Sequence, residues 1–300
     1  MKTLIPPIKI QGIKSKLVAH IKRHISWDYK GMYFEPFMGS GVVGFNIAPK
    51  RAIFSDNNPH LIHFYQAIQK GIINKDSIRT YLYKEGLILQ KEGQEHYLKI
   101  RERFNQSYNP FDFLFLNRSC FNGLMRFNSK GGFNVPYCKK DSRFSQSYIT
   151  KIANQVDWVG KLIKNNDYEF RICDFTDSVQ LASRGDFIYC DPPYIDRHAD
   201  YFNAWSEKRE NELFCLLKAT KAQFMLSTWH SNQYRKNTYI DNFWGQFYSD
   251  MIEHFYHLGA SENNRNAIRE LLIRNYIING DFTQDIIENI NRKIKTAKSL

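Results

Sequence analysis

Short apolar stretches alternating with amphipathic ones constrain this chain most, because strands that are each followed by a helix bury both faces in a mostly parallel α/β sheet. The alternation predicts helices over residues 16–25, 42–48 and 59–69, with strands over 32–35 and 51–55 between them. It resumes with strands over 168–173, 186–190 and 223–227, a helix over 207–220, and two late strands over 254–258 and 271–276. The stretch between, residues 71–165, is rich in Tyr, Phe, Asn, Lys and Arg and lacks the alternation, so it reads as an inserted module. Three hundred residues suffice for one core with such an insert. The expected organisation is residues 1–70 and 166–280 as one α/β unit, 71–165 as the insert, and 281–300 as a C-terminal helix or tail.

Composition narrows the partner without naming it. The 42 Lys and Arg exceed the 30 Asp and Glu by 12, which favours polyanions, and an aromatic content of 15% adds flat surfaces for bases. A basic, solvated surface explains the same numbers, so charge alone decides nothing. The five cysteines, at 120, 138, 173, 190 and 215, form no CxxC pair, so neither a metal site nor a disulfide framework is expected, and they read as reduced thiols of a cytoplasmic protein. Pro6 and Pro7 interrupt the N-terminus before a signal peptide can form, and no apolar run reaches the length of a membrane span.

An open α/β sheet places ligands at the carboxyl ends of its strands, so the turns there are where chemistry is expected. The first holds Glu35-Pro36-Phe37-Met38-Gly39-Ser40-Gly41, whose two glycines let backbone approach a ligand before a helix begins. Asp56 ends the next strand, 17 residues after Gly39, where a carboxylate can accept from ribose hydroxyls. The spacing is not GxGxxG, so a nucleoside-containing ligand without a pyrophosphate is expected. Asp174-Phe175 offers a carboxylate and a ring for an adenine, although such a pair more often only opens a turn.

The most specific signal is Asp191-Pro192-Pro193-Tyr194, directly after the apolar residues 187–190. Two prolines make a rigid, donor-poor turn, which aims the Asp191 carboxylate and the Pro192 carbonyl at one spot. That spot suits the amino group of a base. Its lone pair is delocalised into the ring, and two acceptors holding its hydrogens favour a pyramidal nitrogen that can attack a methyl donor directly. Tyr194 would stack on the base, which must leave the duplex to be reached. An isolated Asp-Pro-Pro-Tyr could be an ordinary rigid turn; its place at a strand end, with the glycine turn and Asp56 at neighbouring strand ends, argues against that.

Taken in this order, the residues resemble the alpha-group adenine-specific DNA methyltransferases of the Dam type, over about residues 5–280. The resemblance begins with Lys9-Ile10-Gln11-Gly12-Ile13-Lys14 and continues through Phe37 to Gly41, Asp56, Asp174-Phe175 and Asp191 to Tyr194. It implies a Rossmann-like fold with a seven-stranded, mostly parallel sheet, a late antiparallel hairpin and an inserted, mainly helical target-recognition domain. It implies S-adenosylmethionine as cofactor, held by Ile10, Lys14, Glu35, Pro36, Phe37, Gly39, Gly41, Asp56, Asp174, Phe175 and Asp191. The block from Leu116 to Asn128, followed by Gly132-Phe133-Asn134-Val135-Pro136, is similar to the family's DNA-binding hairpin. By that likeness Phe121 intercalates, Arg126 reads a base edge, and Lys9, Arg118, Asn122, Asn128 and Pro136 lie at double-stranded DNA. A folded hairpin with a solvated face is the plainer reading of the same stretch. Tryptophan is usual in the family where this chain has Ile10, and glycine is frequent where it has Cys138.

The activity implied is methylation of adenine N6 in DNA by a monomer, with a restriction endonuclease of the same site as a further candidate partner. Methylation of the cytosine amino group is the alternative within enzymes, and a catalytically silent DNA-binding regulator the alternative outside them. Methylation of cytosine carbon is disfavoured, since no Pro-Cys pair supplies the nucleophile it needs. The loop 195–203, with Arg197 and His198, and Asn263 to Asn266 between the late strands are further candidates near the substrate, without assigned roles.

Overall fold

The computed structural model describes residues 2–194, 205–231, 237–255 and 267–278. Its strands are β1 (Tyr33–Glu35), β2 (Arg51–Asp56), β3 (Asp167–Ile172), β4 (Phe187–Cys190), β5 (Gln223–Ser231), β6 (Tyr248–Phe255) and β7 (Ala267–Arg274), in one seven-stranded sheet of order β3-β2-β1-β4-β5-β7-β6. The pairings from β3 through β5 are parallel. β7 lies antiparallel between β5 and β6. This is the Rossmann-like architecture with a late antiparallel hairpin that the resemblance implies.

Alternation along the strands splits the core. Tyr33, Ala52, Phe54, Phe187, Tyr189, Met225 and Leu272 belong to one apolar cluster, and their neighbours Phe34, Ile53, Ile188, Cys190, Phe224, Leu226, Leu271 and Ile273 to another. Successive side chains of a strand point to opposite faces, so the two clusters are the two covered faces of the sheet. β1 and β4 are buried along their whole length, whereas edge strand β3 alternates buried and exposed positions.

The helices that accompany the parallel strands are α1 (Val18–Arg23), α2 (Val42–Ile47), α3 (Pro59–Gln69), α8 (Phe175–Gln180) and α9 (Glu207–Ala219). The chain marks their starts by local chemistry: Asn58 caps α3 through the amide of His60 at 3.0 Å with Pro59 in the first turn, and Asp174 caps α8. The predicted helix over 16–25 is shorter, because Lys14–Lys16 form a 3-10 turn that buries Lys14.

In the stretch without alternation lie α4 (Lys75–Glu92), α5 (Gln94–Ser107), α6 (Pro110–Ser119) and α7 (Gln146–Asn165). Between α6 and α7 the chain makes a hairpin with antiparallel bridges Cys120 to Tyr137 and Phe127 to Phe133. Its core is continuous with one sheet face: Phe64, Leu82, Phe104, Phe113, Phe133 and Ile152 share the cluster of Phe45 and Phe54.

Two late strands depart from expectation. β6 runs Tyr248–Phe255 rather than 254–258, and β7 begins at Ala267 rather than 271. β6 is an edge strand with one face to bury, so its Ser249 and Asp250 hide it from a search for apolar runs. The first half of β7 carries two charged residues, Arg269 and Glu270, of which Glu270 is fully buried. Residues 195–203 and 263–266, the end of the predicted strand at 254–258, and the expected tail 281–300 lie outside the described residues. No described helix is long and apolar enough to cross a membrane.

Candidate active site and nucleic-acid hairpin

The carboxyl ends of β1, β2, β3 and β4 open into one cleft of about 290 Å³. It gathers Ile10, Lys14, Glu35, Pro36, Phe37, Gly39, Asp56, Asp174, Phe175 and the whole Asp191-Pro192-Pro193-Tyr194 turn, in which Lys14 and Tyr194, 180 residues apart, are in direct contact. Gly41 does not line it. It lies beneath, at φ +69°, where a Cβ would meet the Phe45 ring at 2.5 Å, so glycine is needed for both conformation and space. Gly39 is also left-handed, and its amide donates to Asp56 Oδ2 at 2.9 Å, which ties the turn after β1 to the end of β2.

The floor is held by carboxylates in unusual states. Glu35 is almost fully buried and accepts from the Tyr33 hydroxyl at 3.0 Å; loss of water pushes its pKa from 4.5 to about 8. Asp56 also loses water, and its pKa rises to about 6 despite the amides of Asn58 and Gly39 donating to it. Asp174 is engaged: it accepts from the amide and hydroxyl of Thr176, and pairs with Arg209, whose guanidinium lies over the Phe175 ring. The adenine-edge role expected for Asp174 therefore meets a carboxylate already committed to other partners. Phe175 packs against Phe37 and Trp205 with ring centroids 5.2 and 5.3 Å away, which makes a flat aromatic wall. Such a wall, a desolvated carboxylate beside it, and a glycine turn where a Cβ would press within 3.2 Å of Ile10 Cδ1 fit a nucleoside-containing ligand.

At the other end of the cleft is a polar network. Asp191 Oδ1 accepts from Ser227 Oγ at 3.0 Å and lies 3.1 Å from Lys14 Nζ. Lys14 also donates to the Tyr194 hydroxyl at 2.7 Å and stands 3.6 Å from Glu270 Oε1, to which Tyr194 in turn donates at 2.9 Å. Among the described residues nothing donates to Asp191 Oδ2. Burial pushes the Asp191 pKa up, the Lys14 ammonium pulls it back, and Glu270 pushes it up again. Lys14, expected at the cofactor, is thus also the partner of the Asp191–Tyr194 turn.

Trp205, Arg209, Ser227 and Glu270 were not singled out from the sequence. Trp205 and Arg209 flank a segment without a motif. Glu270 enters through an antiparallel strand, whose first half meets the edge where the parallel strands end, opposite Trp229 of β5.

The hairpin displays alternation of its own. Met125, Phe127, Phe133, Val135 and Tyr137 face the core, while Arg126, Asn128 and Pro136 are exposed. Phe121 is 50% exposed and Asn122 beside it is left-handed. An exposed ring beside a left-handed residue, at the base of the hairpin, is an unusual use of phenylalanine. Arg126 donates to the side chain and carbonyl of Asn134, and Asn128 accepts from the amides of Lys130 and Gly132, so Asn128 shapes the hairpin turn. Lys9 is half-buried beside Tyr148, Arg143 and Arg118, and burial lowers its pKa.

Arg118 requires a correction. Rather than facing DNA it is only 3% exposed, donating to the Pro7 carbonyl and to Gln155 Oε1, with Tyr148 alongside. A guanidinium with this many fixed acceptors inside the protein fastens the N-terminal segment to α6 and α7.

Comparison with known proteins identifies the family. The model of the family described as D12 class N6 adenine-specific DNA methyltransferase matches residues 11–264. A Type II methyltransferase of Lactococcus lactis subsp. cremoris is 28% identical over 91% of this chain and 96% of its own. One of Methanocaldococcus jannaschii is 29% identical over 90% of this chain and 99% of its own. A DNA adenine methylase of Vibrio cholerae is 33% identical over 62% of this chain and 64% of its own.

Proposed function

The chain belongs to the D12 class N6 adenine-specific DNA methyltransferases, and on that premise we propose how its cleft and hairpin divide the work. The protein is a transferase that methylates N6 of adenine in DNA, with S-adenosylmethionine as its cofactor. The bound cofactor supplies an electrophilic methyl group. Phe37, Phe175 and Trp205 would take its flat ring, and Ile10, Gly39 and Asp56 the parts nearest the glycine turn.

The single observation that carries the assignment of roles is that Asp191 has both its oxygens in distinct states: Oδ1 is fixed by Ser227 and Lys14, and Oδ2 remains to receive a substrate hydrogen. Asp191 Oδ2 and the Pro192 carbonyl hold the two hydrogens of the adenine amine, which localises the nitrogen lone pair. One proton leaves as the nitrogen–carbon bond forms, and Asp191, made more basic by burial, is the acceptor at hand. The Tyr194 ring takes the face of the turned-out base, a contact of about 1–3 kcal/mol that offsets part of the unstacking cost. Phe121 fills the vacated space in the duplex, and Arg126 reads a base edge from the same hairpin. The two relatives matched over nearly their full lengths are named Type II methyltransferases, which favours an endonuclease acting on the same site as a partner.

Incubation of the purified chain with tritium-labelled S-adenosylmethionine and unmodified plasmid DNA, followed by digestion to nucleosides, tests this. Label is expected in N6-methyldeoxyadenosine. Label in methylated cytosine, or in no nucleoside, would overturn it.

A further inference from the structure

We propose that Glu270 is a positioning residue of the methyl-transfer site: from β7 it fixes the Tyr194 hydroxyl and shares the Lys14 ammonium with Asp191. It thereby sets both the ring that meets the base and the carboxylate that meets the amine. The inference rests on the reading of Asp191 as the amine's acceptor.

Glu270 has no exposed surface, and its neighbours along the strand, Leu271 and Leu272, are buried apolar residues. A carboxylate in such surroundings is costly unless paired and hydrogen-bonded, so packing alone gives no reason for it. Its Oε1 accepts from the Tyr194 hydroxyl at 2.9 Å and lies 3.6 Å from Lys14 Nζ, which is itself 3.1 Å from Asp191 Oδ1. One ammonium thus stands between two carboxylates. Because the cation is divided, Asp191 keeps more of its negative charge for the substrate amine than it would in an exclusive pair with Lys14. The Tyr194 hydroxyl, held from both sides by Lys14 and Glu270, cannot swing without breaking two hydrogen bonds, and its ring is held with it.

Among the described residues, the groups that face Asp191 are Lys14 from the N-terminal 3-10 turn, Glu35 from β1, Tyr189 and Cys190 from β4, Tyr194 from its own turn, Ser227 from β5 and Glu270 from β7. Of the two carboxylates in this set, Glu270 is the one joined to Asp191 through a shared cation. Its repulsion raises the proton affinity of Asp191, so removing its charge extends the active range toward lower pH.

The test uses the full chain carrying Glu270→Gln, which keeps an oxygen for Tyr194 and removes the charge. Methyl transfer to plasmid DNA is followed from about pH 5 to about pH 9, with kcat and the KM for S-adenosylmethionine separated. Label is expected to remain on adenine, with kcat at the plateau lowered about tenfold, KM changed less than about twofold, and the acid limb moved to lower pH. A folded Glu270→Gln chain with unchanged kcat and an unchanged acid limb overturns the proposal. If Glu270→Gln does not fold, Tyr194→Phe, which keeps the ring and removes the hydroxyl, serves in its place: a reduced kcat with cofactor affinity retained supports the proposal, and an unchanged kcat overturns it. A wild-type chain that labels no adenine removes the reading of the site itself, an outcome distinct from an active wild type with an indifferent Glu270 variant.

Discussion

Asp191→Asn separates chemistry from binding because the surroundings dictate how the new amide must lie. Ser227 Oγ donates to Oδ1 at 3.0 Å and Lys14 Nζ stands 3.1 Å from it, so two donors face that position. The asparagine oxygen must stay there, which turns the NH2 group toward the cleft. An acceptor for the adenine amine is thereby replaced by a donor. A hydrogen bond to a charged group contributes roughly 1.5–3 kcal/mol, and loss of one preorganised group at a reacting centre costs about 2.7–4 kcal/mol. The expected fall in kcat is therefore about 10²–10³-fold. Stability should change little: the substitution removes a carboxylate that burial disfavours, and Lys14 keeps Glu270 at 3.6 Å and the Tyr194 hydroxyl at 2.7 Å. A shift within about 1 kcal/mol is expected, against the several kcal/mol of a buried charge left without a partner. Transfer of labelled methyl groups to DNA at saturating substrates, with calorimetry for cofactor affinity and a thermal melt, measures all three quantities. A fall in kcat below tenfold, or a loss of cofactor affinity that matches the loss of rate, would refute the reasoning.

Arg118→Ala strands the Pro7 carbonyl and Gln155 Oε1, each costing about 1–3 kcal/mol, so the thermal midpoint should drop sharply while the salt dependence of DNA binding keeps its slope; a slope reduced by about one would return Arg118 to the DNA. Arg126→Ala should cost about 1–3 kcal/mol in DNA affinity and relax the choice at one base pair, whereas uniform weakening across sequences in a binding assay would make Arg126 a phosphate contact. For Glu35, with a folded pKa of about 8 against 4.5, the folded chain holds the extra proton, so wild-type stability declines as pH rises from about 4.5 to about 8; Glu35→Gln removes that decline, and its melting advantage over wild type should grow across this window and level off above it.

The parallel half of the fold was legible because each of its strands is a short apolar run closed by a distinctive turn. The predicted helix over 59–69 coincides with α3, since Asn58 and Pro59 mark its start as plainly as any residues can. The Asp191 turn was legible for the same reason: rigidity and acceptor chemistry are properties of the residues themselves. Glu270 was not, because its role depends on strand direction. A search of turns after parallel strands passes over the first half of an antiparallel one, although sheet order brings that half to the same edge. Arg118 misled for a different reason. It sits in a basic and aromatic block where exposure, which sequence does not display, separates a DNA contact from an internal fastener. Burial at Arg118 and exposure at Phe121, three residues apart, follow from where α6 ends and the hairpin begins.

That the hairpin shares a core with the sheet bears on how recognition can reach the chemistry. Asp56, which anchors the glycine turn through Gly39, also accepts from the amide of Asn58, and the Asn58 side chain contacts Met125 Sδ at 3.3 Å. Two residues further into α3, His60 stacks on Phe127 with ring centroids 4.9 Å apart. Met125 and Phe127 flank Arg126, so the residue expected to read a base edge is braced on both sides by side chains packed against the start of α3. A hairpin on a flexible tether would have to be ordered by DNA at each encounter, at a cost in conformational entropy. Here the order exists before DNA arrives, and displacement of Arg126 must strain Met125 or Phe127 against Asn58 and His60. Arg126 and the glycine turn after β1 are in this way mechanically linked through four contacts near one helix start. Substituting Met125 by a smaller apolar residue should therefore loosen discrimination between sites more than it lowers affinity for DNA as such. Competition between cognate and altered duplexes measures that ratio, and equal weakening on both would show that the hairpin and the cleft act independently.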